Sequence, residues 1–141
     1  MEKKRKKRIK LGDIYAIPLP DGKYAFGRVM KDAGIAIYKD ISNNPHDIPT
    51  VEEYQFIVGV YRDVLQSGEW QIVDNRKFNN EEEAWPPKTY IKDVTSGQYS
   101  IYYKGEIIKS TEEECKGLEE AAVWEGYLII DRIMGGNKWD F

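Results

Sequence analysis

"GDIYAIPLPDGKYAFGRV", residues 12–29, holds two apolar runs folded around a Pro-Asp-Gly-Lys tip. Ile14, Ala16 and Pro18 alternate with Asp13, Tyr15, Ile17 and Leu19, the period of two that a strand imposes. Asp21-Gly22 suits the positive φ of a hairpin turn. "YAFGRVM" then returns as a second strand. Pro18 has no ladder donor and predicts an edge or a bulge near the turn. Gly27 predicts a second bulge, or a sharp strand bend. After "KDAG", the run "IAIYKDI" reads as a third short strand. Three antiparallel strands with glycine bends predict a small curved sheet or partial barrel, an SH3-like barrel being one form. The stretch contains no His, Ser or Cys, so its pattern specifies shape before chemistry.

Outward from this hairpin, "SNNPHDIP" is a loop by composition. "TVEEYQFIVGVYRDVLQSG" is ambiguous. Val51, Tyr54, Val58, Tyr61 and Leu65 fall at helical spacing, and Thr50 with Glu53 mimics a capping box. "FIVGVY" is nevertheless β-branched, aromatic and interrupted by Gly59. The expectation is a strand over 55–62, then a helical turn over 63–67 that Gly68 stops. "EWQIVDN", "TYIKDV" and "QYSIYYKGEIIK" read as further strands, with Lys104-Gly105 as a hairpin turn, and "FNNEEEAWPPK" as a loop. Ser110 and Glu113 have capping-box spacing, and Cys115, Leu118 and Ala122 form an apolar stripe. They predict an α-helix near 111–123. "YLIIDRI", 127–133, reads as a strand or a short helix, the strand preferred. The fold class expected is α+β, mainly antiparallel β, with residues 11–141 as a single globular domain behind a basic, disordered tail over 1–10.

A chain of 141 residues, 41% hydrophobic, can bury a core. Its net charge of −3 hides an asymmetry. Residues 1–10 carry seven Lys or Arg and one Glu, while the other 131 carry 14 basic and 23 acidic side chains, a charge of −9. An acidic body repels phosphates and attracts basic proteins. The tail could touch nucleic acid or a membrane surface, or be a solvated end, but no apolar or lipidation signal follows it. It does not read as a signal peptide, and no apolar stretch is long enough to span a bilayer. The single Cys115 fits a reducing compartment, so the expected location is the cytoplasm.

Residues that could carry chemistry are sparse. His46 is the only histidine, which excludes sites built on paired histidines. Cys115 on an apolar stripe reads as a small buried hydrophobe rather than an activated thiolate. "GGNK" lacks the frame of a phosphate loop. Carboxylates are too abundant for any pair to stand out as acid and base. No catalytic residue, cofactor or metal is expected. Most aromatics read as core or as protein contact, because stacking platforms for bases come with a basic groove. Trp85, between "EEEA" and "PPK", is the best candidate for an exposed anchor. The acidic segments 81–83 and 112–120 join it, giving Glu81, Glu82, Glu83, Trp85, Glu112, Glu113 and Glu120 as the expected partner-binding residues.

The opening stretch resembles the signature of the immunity protein 26 family of bacterial polymorphic toxin systems. "FIVGVYRDVLQSGEWQIV", "YYKGEI" and "GLEEAAVWEGYLIIDRI" fit in order, so the resemblance spans about residues 11–134 and leaves the basic tail outside. It implies a non-enzymatic protein that neutralises a cognate toxin by stoichiometric contact, toxins of such systems often being nucleases. The body charge suits a basic toxin. The alternative from another class is a small β-barrel nucleic-acid-binding or regulatory module that uses the basic tail. An enzyme working with carboxylates alone is a more distant third.

Overall fold

A computed structural model describes residues 8–135. Residues 1–7 of the basic tail therefore lie outside the described residues. The opening stretch forms the expected hairpin of β1 (Asp13–Pro18) and β2 (Tyr24–Val29), paired from Ile14↔Arg28 to Pro18↔Tyr24. Gly22 takes a φ of +85° at the turn, and its N–H donates to the Leu19 carbonyl at 3.1 Å. The Leu19 N–H points back to Lys23 in the second arm. Strand alternation therefore turns the Pro18 nitrogen the other way, where the neighbouring strand has already ended its pairing at Ala16↔Gln71. No ladder bond is lost there.

The chain continues through β3 (Gly34–Tyr38), β4 (Tyr54–Val60), α1 (Arg62–Gln66) and β5 (Gln71–Asn75). The strand-then-turn reading of 55–67 holds, with Gly68 at φ +87° where the helix ends. These strands form an open sheet in the order β10-β4-β3-β2-β1-β5, with β10 (Val123–Trp124) parallel to β4. Ladder irregularities fall between Ile14 and Tyr15 and between Ile37 and Tyr38. Gly27, expected at a bulge or bend, pairs regularly with Tyr15 and Ile37. Its lack of a side chain makes room instead, since a Cβ there would lie 2.6 Å from Ile35 Cδ1.

Both faces of this sheet are covered. Tyr15, Ile17, Ile35 and Ile37 pack on one side with Leu65, Trp70 and Ile129, and Ile14, Ala16, Phe26 and Tyr38 form a smaller core on the other. A second, four-stranded sheet has the order β8-β7-β6-β9. Its strands are β6 (Thr89–Lys92), β7 (Tyr99–Tyr103), β8 (Glu106–Ser110) and β9 (Glu119–Glu120). Lys104 and Gly105, at φ 51° and 82°, make the tight turn between β7 and β8. The α+β class, mainly antiparallel, is what the sequence predicts, and the first sheet stays open rather than closing into a barrel.

Two expectations near the C-terminus are corrected. Residues 111–123 are not a helix. Thr111 Oγ1 accepts the Glu114 N–H at 3.2 Å, and Ser110 Oγ donates to Glu114 at 2.7 Å, so the capping residues satisfy a short turn. Gly117 at φ +80° ends it, and the chain then runs extended to pair Glu119 with Thr89 and Glu120 with Tyr90. The helix comes later, as α2 (Gly126–Gly135), where a strand was expected. Ile129, Ile130 and Ile133 share one helical face against the larger core, a placement that strand alternation could not give.

Candidate functional site

Alternation along the second sheet points Thr89, Ile91, Tyr102 and Ile107 to one face. That face and the ends of β3 and β4 enclose an open cleft of about 430 Å³. Its first-sheet wall is Gly34, Ile57 and Gly59, closed by Pro86, Pro87 and Val123. The glycines set its shape. A Cβ at Gly34 would meet Pro86 Cγ at 2.7 Å, and one at Gly59 would meet the Ala122 carbonyl at 2.8 Å. The walls are mostly apolar, while Asp32, Lys104 and Glu120 stand among the lining residues. Asp32 accepts the Tyr102 hydroxyl, which ties the turn between β2 and β3 to the second sheet. This bond, aided by burial, pushes the Tyr102 phenol above its ordinary range.

The seven residues expected from sequence divide among three places. Glu81 pairs with Lys31 at 2.7 Å, and Lys31 Nζ lies 5.0 Å from the centre of the Trp85 ring. Glu82 pairs with Lys104 and accepts the Tyr103 hydroxyl at 2.9 Å. Hydrogen bonds from Lys31 and Lys104 hold these two carboxyls below the usual carboxylate range. Glu83 bonds back to Asn79 and Asn80 and shapes its own turn. Trp85 is half-buried, behind the buried Ala84 that anchors this short 3-10 turn. Glu112 and Glu113 are exposed beyond β8, and Glu112 lines a separate small hollow with Tyr90, Tyr99 and Cys115. Glu120 alone of the seven lines the cleft. Cys115 is buried as expected, and His46 is exposed in its loop.

Sequence reasoning missed the cleft itself, and with it Asp32, Tyr102 and Ile107. One signal was available: "EIIK" places two isoleucines in succession on a strand, so no single covered face can bury both.

Glu82, Glu83 and Trp85 line a neighbouring hollow of about 570 Å³ with Arg28, Glu52 and Arg76. Buried Arg28 spends all five donors. Nε and Nη2 bond the Arg76 carbonyl, Nη2 bonds the Lys77 carbonyl, and Nη1 bonds Glu52 and the Tyr54 hydroxyl. The Phe78 ring lies 3.8 Å from its Cζ. Glu52 also accepts from Tyr38 at 2.6 Å, Tyr54 at 3.0 Å and Arg76 at 2.9 Å. Burial works to raise its carboxyl, but these hydrogen bonds outweigh it and hold the group below the usual range. With every Arg28 donor committed, this cluster is a clasp for residues 76–78 rather than an anion site. Among the described residues, no three His, Cys, Asp or Glu side chains converge to hold a metal ion, and no helix is long and apolar enough to cross a membrane.

Charge is unevenly spread along the sequence. Residues 81–125 carry eleven Asp or Glu against five Lys, a net −6 of the body's −9. In comparisons with known proteins, the family model described as Immunity protein 26 matches residues 10–100. No curated protein and no solved structure matches the chain.

Proposed function

The chain belongs to the immunity protein 26 family, and we infer from this that it acts by binding a cognate toxin stoichiometrically and covering the surface the toxin needs. The observation that carries the reading is an apolar cleft, with Asp32 and Glu120 in its lining, on a body of net charge −9. Apolar walls that shed water supply the anchor on which tight binding depends. The surrounding carboxylates steer a basic partner toward it and weaken that steering as salt rises. A nuclease domain, basic because it holds phosphates, is the toxin class this charge fits best. On this reading Glu120, Asp32 and Ile107, which line the cleft, meet the toxin. Glu81, Glu82 and Trp85 support its edge with charges already matched by Lys31 and Lys104. Residues 11–141 act as the binding unit, in the cytoplasm of the protected cell.

Co-expression with the toxin encoded by the gene directly upstream tests this. The expected result is rescue of growth and a 1:1 complex by light scattering, with an association rate that falls as ionic strength rises. A toxin fully active beside an equimolar amount of this protein overturns it. The alternative is a small nucleic-acid-binding module to which the basic residues 1–10 add phosphate contacts. Salt-sensitive DNA or RNA binding retained by residues 11–141 would favour that role over toxin binding.

A further inference from the structure

We propose that the toxin adds an extended segment to the outer edge of β8, lengthening the second sheet to five strands. The proposal rests on the toxin-binding reading and names how the contact is made. Among the described residues β8 is the terminal strand of its sheet, with β7 on one side and no strand on the other. Its free groups follow from the turn. Lys104 and Gly105, both at positive φ, make a two-residue turn whose flanking residues, Tyr103 and Glu106, exchange both backbone bonds. Alternation then makes Ile101↔Ile108 and Tyr99↔Ser110 bonded pairs as well. The N–H and C=O groups of Ile107 and Lys109 are left pointing outward.

This edge is only partly protected: it carries Glu106 and Lys109, but it has no proline, and its pairing with β7 shows no bulge. Ile107 is 64% and Ile108 62% exposed, one on each face of the strand. Ile107 also lines the cleft, so an added strand would lay its alternate side chains onto the cleft's apolar walls. Charge selects the occupant. β8 runs directly into Glu112, Glu113 and Glu114, all exposed, and the whole segment 81–125 is at −6. An extended segment with alternate apolar residues and basic ones beside them complements this edge. A second copy fits less well: two-fold antiparallel pairing about Ile108 would set the apolar Ile107 against the charged Lys109.

The test uses the toxin domain encoded directly upstream as the probe. Amide hydrogen exchange of the unmodified protein, with and without that domain, is expected to show Ile107 and Lys109 newly protected in the complex. Lys109→Pro removes an outward N–H, whereas Lys109→Ala removes only the charge. The first is expected to weaken binding roughly 10- to 100-fold, and the second less than about fivefold. Circular dichroism of Lys109→Pro checks its folding, and if it misfolds the exchange result decides. Binding with both amides unprotected overturns the edge proposal and leaves toxin binding standing. Absence of any binding overturns toxin binding as well. Protection that grows with the concentration of this protein alone assigns the edge to a second copy and overturns the proposal.

Discussion

The two sheets are built from similar residues and end in opposite states. Every residue of β3 and all but one in each of β1 and β2 are buried, because α1, α2 and the long loop before β4 cover both faces. In β6, β7 and β8 not one residue is buried, although Tyr90, Tyr99, Ile101, Tyr102, Ile107 and Ile108 are as apolar or aromatic as the core. Composition therefore does not decide which sheet is buried; what lies over each face does. The first sheet holds the deeply buried core, and the second leaves its aromatic side chains half-exposed.

The largest effect that sharpens this contrast is expected from Phe26→Ala. Phe26 is fully buried, and its loss is expected to cost about 3–5 kcal/mol in urea unfolding. Arg28→Ala follows at roughly 3 kcal/mol, since it removes the buried guanidinium that donates to the Arg76 and Lys77 carbonyls, Tyr54 and Glu52 on the first sheet's flank. Tyr15→Phe has the opposite sign. Among the described residues the buried Tyr15 hydroxyl has no hydrogen-bond partner, so its removal is expected to stabilise by about 1 kcal/mol. Ile108→Ala, in the second sheet, is expected to cost less than about 0.5 kcal/mol. If Ile108→Ala destabilises as much as Phe26→Ala, the division of labour between the sheets is wrong.

The first sheet also has a pH signature. Burial, helped by the charge of Asp13, pushes the Tyr15 phenol up to about 12. A raised value stabilises the neutral form, so this contribution is whole below pH 10 and is lost as pH climbs toward 12. Tyr15→Phe is expected to flatten that alkaline limb in a chemical-denaturation series. Glu52 acts at the other end: its lowered value makes its contribution whole above the ordinary carboxyl range and lost as pH falls through the lower folded value. Glu52→Gln is expected to flatten the acid limb.

The first sheet was legible because its signals are local. Asp21-Gly22 sits between two runs that alternate with period two, and Gly68 stops a helix that begins a few residues before it. The C-terminal third misled because its signals are local as well. Ser110 and Thr111 cap a turn as readily as a helix, and only Gly117 and the distant β6 decide which forms. "YLIIDRI" satisfies a strand and a helix alike until Ile129 finds the core. Charge density did not find the cleft: of the residues it singled out only Glu120 lines it, and the walls include Gly34, Gly59 and Pro86, residues without reactive groups. Nor could it tell that Glu81 and Glu82 are matched by lysines far away in the chain.

Residues 119–124 pair twice within a few positions. Glu119 and Glu120 join β6, and after Ala121 and Ala122 the next two residues join β4. This stitch sets a schedule for biosynthesis. The hairpins β1–β2 and β2–β3 close between near neighbours and can form early on a growing chain. The β4 edge must wait for a strand translated long after it. Until Trp124 clears the ribosome, the nascent protein carries two half-finished sheets with open sides, the stage at which chains of this kind are most prone to stick to one another.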